Sequence, residues 1–221
     1  MLVKNPGFTV VSVLTLALGI GANTAIFNIV NALLLRPMPG VVEEERLVQV
    51  GQTHEDAKFD SLSYPDYLDY REQNTVFSGI AVYCKTPLHL SNAETEGRAE
   101  RVRGELVSGG YFSTLGVKAA LGRTLTPADD SAPGANPVVV IGYDLWQRRF
   151  GADTAIVGKT IKLNAQPFTV IGVAVEGFEG TVVGGATEMW LPITMFAEVR
   201  PQERKGNFLT MRGTQWIGGF A

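Results

Sequence analysis

The chain is short of the residues that most often carry chemistry. In 221 residues it has one cysteine, Cys84, and two histidines, His54 and His89. A single thiol forms no internal disulfide, so the fold must stand on its apolar core, and the redox compartment stays open. Neither histidine has a cysteine or a second histidine at ligand spacing, which argues against zinc. No serine occupies a Gly-x-Ser-x-Gly elbow. Cys84, between Tyr83 and Lys85 in an apolar stretch, reads as a core thiol rather than a nucleophile. Charge is also missing over a long distance, because nothing between Lys4 and Arg36 is acidic or basic. All 22 acidic residues lie beyond Arg36, so that part is net acidic and lacks the basic face a nucleic-acid partner needs.

The uncharged run is what the sequence does have. Phe8 to Leu35 is 28 residues, roughly 42 Å as a helix at about 1.5 Å per residue. A bilayer core is about 30 Å thick and is crossed by about 20 apolar residues. A cleaved signal has an apolar centre of about 7–15 residues and a small-x-small site after it. This run is longer and ends in Leu33-Leu34-Leu35-Arg36-Pro37, so a retained helix over 8–27 is expected. Asn23, Thr24, Asn28 and Asn31 fall at helical spacings on one side, which predicts that the helix leaves the bilayer near Phe27 and continues as a short stalk. Ala17, Gly21 and Ala25 recur every fourth residue, a column of small side chains that lets a second helix approach closely. Chance spacing of common membrane residues is the alternative. Lys4 and the amino group against Glu43-Glu44-Glu45 favour a cytoplasmic N-terminus.

Over the whole chain, 45% hydrophobic and 19% charged residues suit a folded domain beyond the run. A strand is expected at 46–50. Ser63-Tyr64-Pro65-Asp66 has the cap, the first-turn proline and the acid of a helix start. Tyr64, Tyr67, Leu68 and Tyr70 give that helix an aromatic flank, with acids around it rather than the basic neighbours of a stacking platform. A strand at 101–107 runs into Ser108-Gly109-Gly110 and a short helix at 111–115 ending at Gly116. After a loop at 127–136, in which Asp129-Asp130 caps a turn or short helix, come a strand at 137–141 and a helix at 144–150 closed by Gly151. Strands at 159–163 and 167–173 form a hairpin across Asn164-Ala165-Gln166. A glycine-rich stretch at 177–185 precedes a last strand at 188–191. Gly158-Lys159-Thr160 resembles the end of a phosphate loop, but Asp153 stands where that motif needs glycine and a hairpin follows where it needs a helix. A nucleotide site is rejected. No catalytic, cofactor or metal residues are assigned.

Several stretches together resemble MacB-type ABC transporter permeases, including the duplicated permeases of acidobacteria. They are Lys4-Asn5-Pro6-Gly7-Phe8-Thr9, Leu14 to Phe27, and Leu35-Arg36-Pro37. With them go Ser63-Tyr64-Pro65-Asp66-Tyr67, Val107-Ser108-Gly109-Gly110-Tyr111-Phe112, Leu121-Gly122-Arg123, Val157-Gly158-Lys159-Thr160-Ile161, Phe168 to Val173 and Met189-Trp190-Leu191-Pro192. The resemblance implies an α+β fold: one N-terminal transmembrane helix, then a periplasmic core domain of a mixed α/β subdomain with an inserted mostly-β subdomain. Its boundaries here would be 1–7 for a cytoplasmic N-terminus, 8–36 for the helix and stalk, and 37–121 for the first α/β part. The insert would be 122–200 and a truncated return segment 201–221. Such relatives continue with a second strand-helix half and three further membrane helices, so a fragment is expected, with an unpaired edge at 46–50 or 101–107. The usual Asn-Gly between the hairpin strands is Asn164-Ala165 here, which predicts a longer loop through Gln166.

The implied function is a non-catalytic permease component of the inner membrane that relays ATP-driven motion to export of a substrate or partner protein. The implied partners are a separate cytoplasmic ATPase, other permease helices or a second permease copy, a periplasmic adaptor protein and the bilayer. A stand-alone anchored binding or adhesion module is the alternative.

Overall fold

The computed structural model describes residues 6–30, 39–54, 57–91, 99–181, 185–203 and 208–221. It divides into two units, 1–37 and 38–221. The expected stalk beyond Val30, the expected cytoplasmic segment up to Asn5 and part of the boundary expected at 200–207 lie outside the described residues.

The first unit is one helix, α1 (Pro6–Val30). Its proline stands at the first helical position, where the missing N–H costs nothing. The Thr15 and Thr24 hydroxyls donate to the carbonyls of Val11 and Ile20, 2.9 and 2.8 Å away, so neither needs an outside partner.

The second unit opens with a short irregular run. Residues 46–50 are not the expected full strand. Glu43 adopts a left-handed conformation and Glu44–Arg46 form a 3-10 turn, leaving only β1 (Gln49–Val50) extended. A separate hairpin, β2 (Gln52–His54) with β3 (Ala57–Asp60), follows. Helix α2 (Tyr64–Gln73) starts where its sequence signals place it, with the Ser63 hydroxyl accepting from the Asp66 amide. Its aromatic flank divides: Tyr64 and Tyr67 are buried and Tyr70 is exposed.

The remaining strands are β4 (Ala81–Ser91), β5 (Glu100–Val107), β6 (Ala119–Gly122), β7 (Val138–Ile141), β8 (Thr160–Leu163), β9 (Gln166–Ala174), β10 (Met189–Pro192) and β11 (Gly218–Phe220). Helices α3 (Tyr111–Thr114), α4 (Tyr143–Phe150) and α5 (Phe196–Val199) lie between them. Strand β4 is the longest and was not foreseen. Its register pairs Tyr83–Leu90 antiparallel with Val107–Glu100 of β5. On its other side β11 covers 81–83 and β8 covers 90–91. Pro87 falls between those two stretches, where an absent N–H is tolerated.

The pairing closes on itself. Strand β4 pairs β5, β5 pairs β10 in parallel, β10 pairs β7, β7 pairs β9 in parallel, β9 pairs β8, and β8 returns to β4. The result is a small closed barrel. Strands β11 and β1 extend from β4, and β6 extends from β9. Alternation along each strand divides the side chains between inside and outside. Leu88, Leu90, Leu106, Ile141, Leu163, Phe168, Val170 and Leu191 belong to one buried cluster, joined by Tyr67 of α2, Leu145 of α4 and Phe196 of α5. Val107, Val140 and Trp190 face the other way, into a second cluster with Tyr111, Phe112 and Phe178.

The expected boundary at 121/122 therefore does not coincide with a break in the sheet, because strands from both sides of it share the barrel. Of the two strands expected to hold an open edge, 46–50 or 101–107, β5 is paired along both edges. Strand β1 pairs β11 alone. The hairpin turn is also tighter than expected. Leu163 pairs directly with Gln166, and Asn164 and Ala165 both have left-handed backbones, φ 49° and 67°. That is a two-residue turn of the kind Asn-Gly favours. Asn164 holds it by accepting from the His89 amide at 2.8 Å and donating to the Val199 carbonyl at 2.7 Å.

Candidate functional site

Helix α1 presents its apolar side chains outward. The stretch Gly7–Asn28 is long and apolar enough to cross a membrane, and none of it is buried within the chain. Leu18 is 79% exposed, and full burial of such a side chain is favourable by about 1.5–3 kcal/mol. Ala17, Gly21 and Ala25 lie on this helix at i, i+4 and i+8, and all three are exposed. A Cβ added at Gly21 would meet nothing within 4 Å. The structure thus brings the column together on one element without a packing partner in the described chain.

No group of three or more His, Cys, Asp or Glu among the described residues could hold a metal. The Gly158-Lys159 turn offers no phosphate cradle. The Gly158 amide donates to the Val170 carbonyl, the Lys159 amide to the Ile156 carbonyl, and the Lys159 ammonium is 2.7 Å from Asp153. Burial pushes the Cys84 thiol above its ordinary value, the opposite of a nucleophile's need. His89 is exposed, and the side chain of His54 lies outside the described residues.

The functional polar groups are instead junctions. Asp129 completes a capping box with Thr126. Burial opposes its ionisation, but its bonds with Arg123, 2.6 and 2.8 Å, and with Thr126 outweigh that and hold it below the usual range. Asp130 does more than cap. It is buried and accepts from the Gly109 amide at 3.1 Å and the Thr194 amide at 3.3 Å, tying the turn after β5 to the turn after β10. Arg148 of α4 bridges Glu100 of β5 and Glu188, the latter at 2.8 Å, and Glu188 also accepts from the Arg103 amide at 2.9 Å.

Glu105 is the least expected group. It is fully buried on the outer wall of the barrel. One oxygen accepts from the Thr187 hydroxyl at 2.8 Å, and the other from the Tyr111 hydroxyl at 3.2 Å. The buried indole N–H of Trp190 has no partner at hydrogen-bond geometry, yet it is near enough to favour the ionised carboxylate. A charged residue within Val102-Arg103-Gly104-Glu105-Leu106-Val107, on the face that ends in buried Val107, was the available sequence signal.

The described residues thus form an α+β domain built on a closed barrel, preceded in the chain by an apolar helix of membrane-spanning length. The family model of the MacB-like periplasmic core domain matches residues 9–214, and the chain belongs to that family. The macrolide export ATP-binding/permease protein MacB of Aggregatibacter actinomycetemcomitans is 30% identical over 132 residues. That match covers 60% of this chain and 18% of the relative, so the chain spans under a fifth of the length of that relative. The crystal structure of the periplasmic region of MacB from Actinobacillus actinomycetemcomitans aligns with a TM-score of 0.54 at 18% identity, covering 79% of this chain and 71% of that one. The extracellular domain of the noncanonic ABC-type transporter YknZ from Gram-positive bacteria aligns with a TM-score of 0.54 at 16% identity, covering 79% and 82%. These structures share the fold.

Proposed function

We propose that this chain is a non-catalytic part of an ABC-type permease. Its helix α1 spans the inner membrane with the N-terminus in the cytoplasm, and the barrel domain lies in the periplasm. A separate cytoplasmic ATPase moves the membrane helices, and the domain passes that motion to an exported substrate or partner protein. A second permease copy or further permease helices pack against the Ala17, Gly21 and Ala25 column, and a periplasmic adaptor protein is the outward partner. The observation that carries this reading is that the family match begins inside the apolar helix and runs through the barrel, so helix and domain belong to one inherited unit. The blocked Gly158-Lys159 turn supports placing the ATP chemistry on another subunit.

Affinity purification of the tagged chain from detergent-solubilised membranes tests it. A nucleotide-binding subunit of the ABC class is expected to co-purify in stoichiometric amount. Recovery of the chain without any such subunit, under conditions that preserve a known ABC transporter, overturns the reading.

A further inference from the structure

Glu105 belongs to a chain of hydroxyls that accommodates a proton. Its Oε2 accepts from Tyr111, and the Tyr111 hydroxyl lies 3.3 Å from the Thr181 hydroxyl, where either atom can donate. With Glu105 ionised, Thr181 donates to Tyr111 and Tyr111 donates to the carboxylate. With Glu105 protonated, the carboxyl O–H donates to Tyr111 and Tyr111 donates to Thr181. Each hydroxyl can donate or accept, so the chain reverses without losing a bond. Thr187 donates to Oε1 in both states. We propose that Glu105 is a proton-binding site of the folded domain, and that proton uptake reverses the Glu105–Tyr111–Thr181 chain and tightens the junction of β5, α3 and β10.

The surroundings favour the proton. The carboxyl is fully buried, and among the described residues it forms no ion pair. From β4, Lys85 stands opposite it in register but is exposed, and Tyr83 and Cys84 precede Lys85 on the same strand. On β5 itself, Arg103 is turned to Glu188 and to the Ala186 carbonyl at 2.6 Å. From α3 comes Tyr111, from β10 the indole of Trp190, and from the covering segment Glu179, Thr181 and Thr187. Gly180 closes over the group: a Cβ there would lie 3.3 Å from Oε2. Burial is the main effect and pushes Glu105 above the usual carboxylate range, against the bonds from Thr187 and Tyr111, the nearby Trp190 indole and the charge of Lys85. A group whose folded value is raised contributes stability that is full below its unfolded value and is lost as the pH rises through the folded one. The junction therefore tightens as the pH falls.

The test uses the full chain in detergent micelles. Infrared difference spectra, recorded as the pH is lowered across the range in which the domain stays folded, report the carbonyl stretch of a protonated buried carboxyl. The wild type is expected to gain this band, Glu105→Gln to lack that component, and Asp130→Asn, which removes another buried carboxyl pushed upward by burial, to keep it. Tyr111→Phe removes a bond from both forms, and the one lost from the charged form is the stronger, so the midpoint is expected to move upward by about one pH unit. A band that persists in full in Glu105→Gln overturns the proposal, as does a wild type without one. Where Glu105→Gln does not fold, an unmoved midpoint in folded Tyr111→Phe overturns it.

Discussion

Asp130 and Gly109 are locked together: the Asp130 carboxylate accepts the Gly109 amide at 3.1 Å, and Gly109 has room for nothing larger than hydrogen. A Cβ at Gly109 would stand 2.5 Å from the Thr126 carbonyl oxygen and 2.7 Å from the Pro127 Cα. Backbone on both sides cannot give way. The Ser108-Gly109-Gly110 turn thus lets the segment that carries Asp130 lie close enough for its carboxylate to reach both β5's end and β10's end.

Replacing Asp130 by alanine leaves the Gly109 and Thr194 amides without their acceptor. A buried donor left unpaired costs about 1–3 kcal/mol. For a domain of this size each kcal/mol is worth about 2–4 °C. Asp130→Ala is expected to lower the thermal midpoint by roughly 5 °C or more, and Asp130→Asn by less, since its amide oxygen still accepts one bond. Differential scanning calorimetry decides, and an unchanged Asp130→Ala midpoint removes the junction's importance.

Ala165 sits at φ 67° in the β8–β9 turn, a conformation that costs an L-residue about 1–2 kcal/mol. Glycine removes that strain at the expense of a more flexible unfolded chain. Ala165→Gly is expected to raise stability by up to about 1 kcal/mol, measured as a shift in the denaturant midpoint at constant slope. Destabilisation would contradict the two-residue turn.

Orientation is checked by labelling. Cys84 is a weak background target, because burial holds its thiol in the protonated form. In a Cys84→Ser variant carrying Ser131→Cys, the new thiol replaces an exposed side chain beside Asp130. A membrane-impermeant maleimide is expected to label it in intact spheroplasts. Labelling only after lysis would place the domain in the cytoplasm.

The small-residue column predicts a loss of association. Gly21→Leu fills the close-approach surface and is expected to weaken self-association or heterologous pairing of residues 8–27 several-fold in a membrane reporter assay, corresponding to about 1 kcal/mol. Leu16→Ala, on the far side of the helix from the column, serves as the comparison. Equal signals from wild type and Gly21→Leu would leave the spacing a coincidence.

Local chemistry made part of the fold readable. The Ser63 cap, the Gly151 stop of α4 (φ 60°) and the hairpin strands around Asn164 all carry their signals within a few residues. Strand β4 was hidden because Pro87 and the mixed run Tyr83-Cys84-Lys85-Thr86 blur its alternation. Closure of the barrel was invisible for a different reason. It depends on Leu90 meeting Leu163 and Ser91 meeting Lys162, contacts between distant segments that no window of sequence contains. At the junctions, Asp129-Asp130 looked like one capping pair, whereas burial and two remote amides give Asp130 a separate role. Glu105 carried a local clue, but its meaning came from Thr187, which lies 82 residues away.

A ring of strands resists torsion as a tube does, because no strand can slip without breaking bonds on both flanks. The ribbon of β1 and β11 is different: it hangs on the tube by three paired residues of β4, and β1 is held to β11 through Gln49–Phe220 and Val50–Gly219, with Val48 and Ala221 exchanging bonds beyond them. The chain already touches the rest of the domain ahead of that ribbon: the Val42 amide donates to the Leu115 carbonyl at 3.0 Å, and Gly40 lies against Val175 and Phe178. Even so, local opening is expected to start at the two-strand ribbon, while the closed ring beside it stays paired.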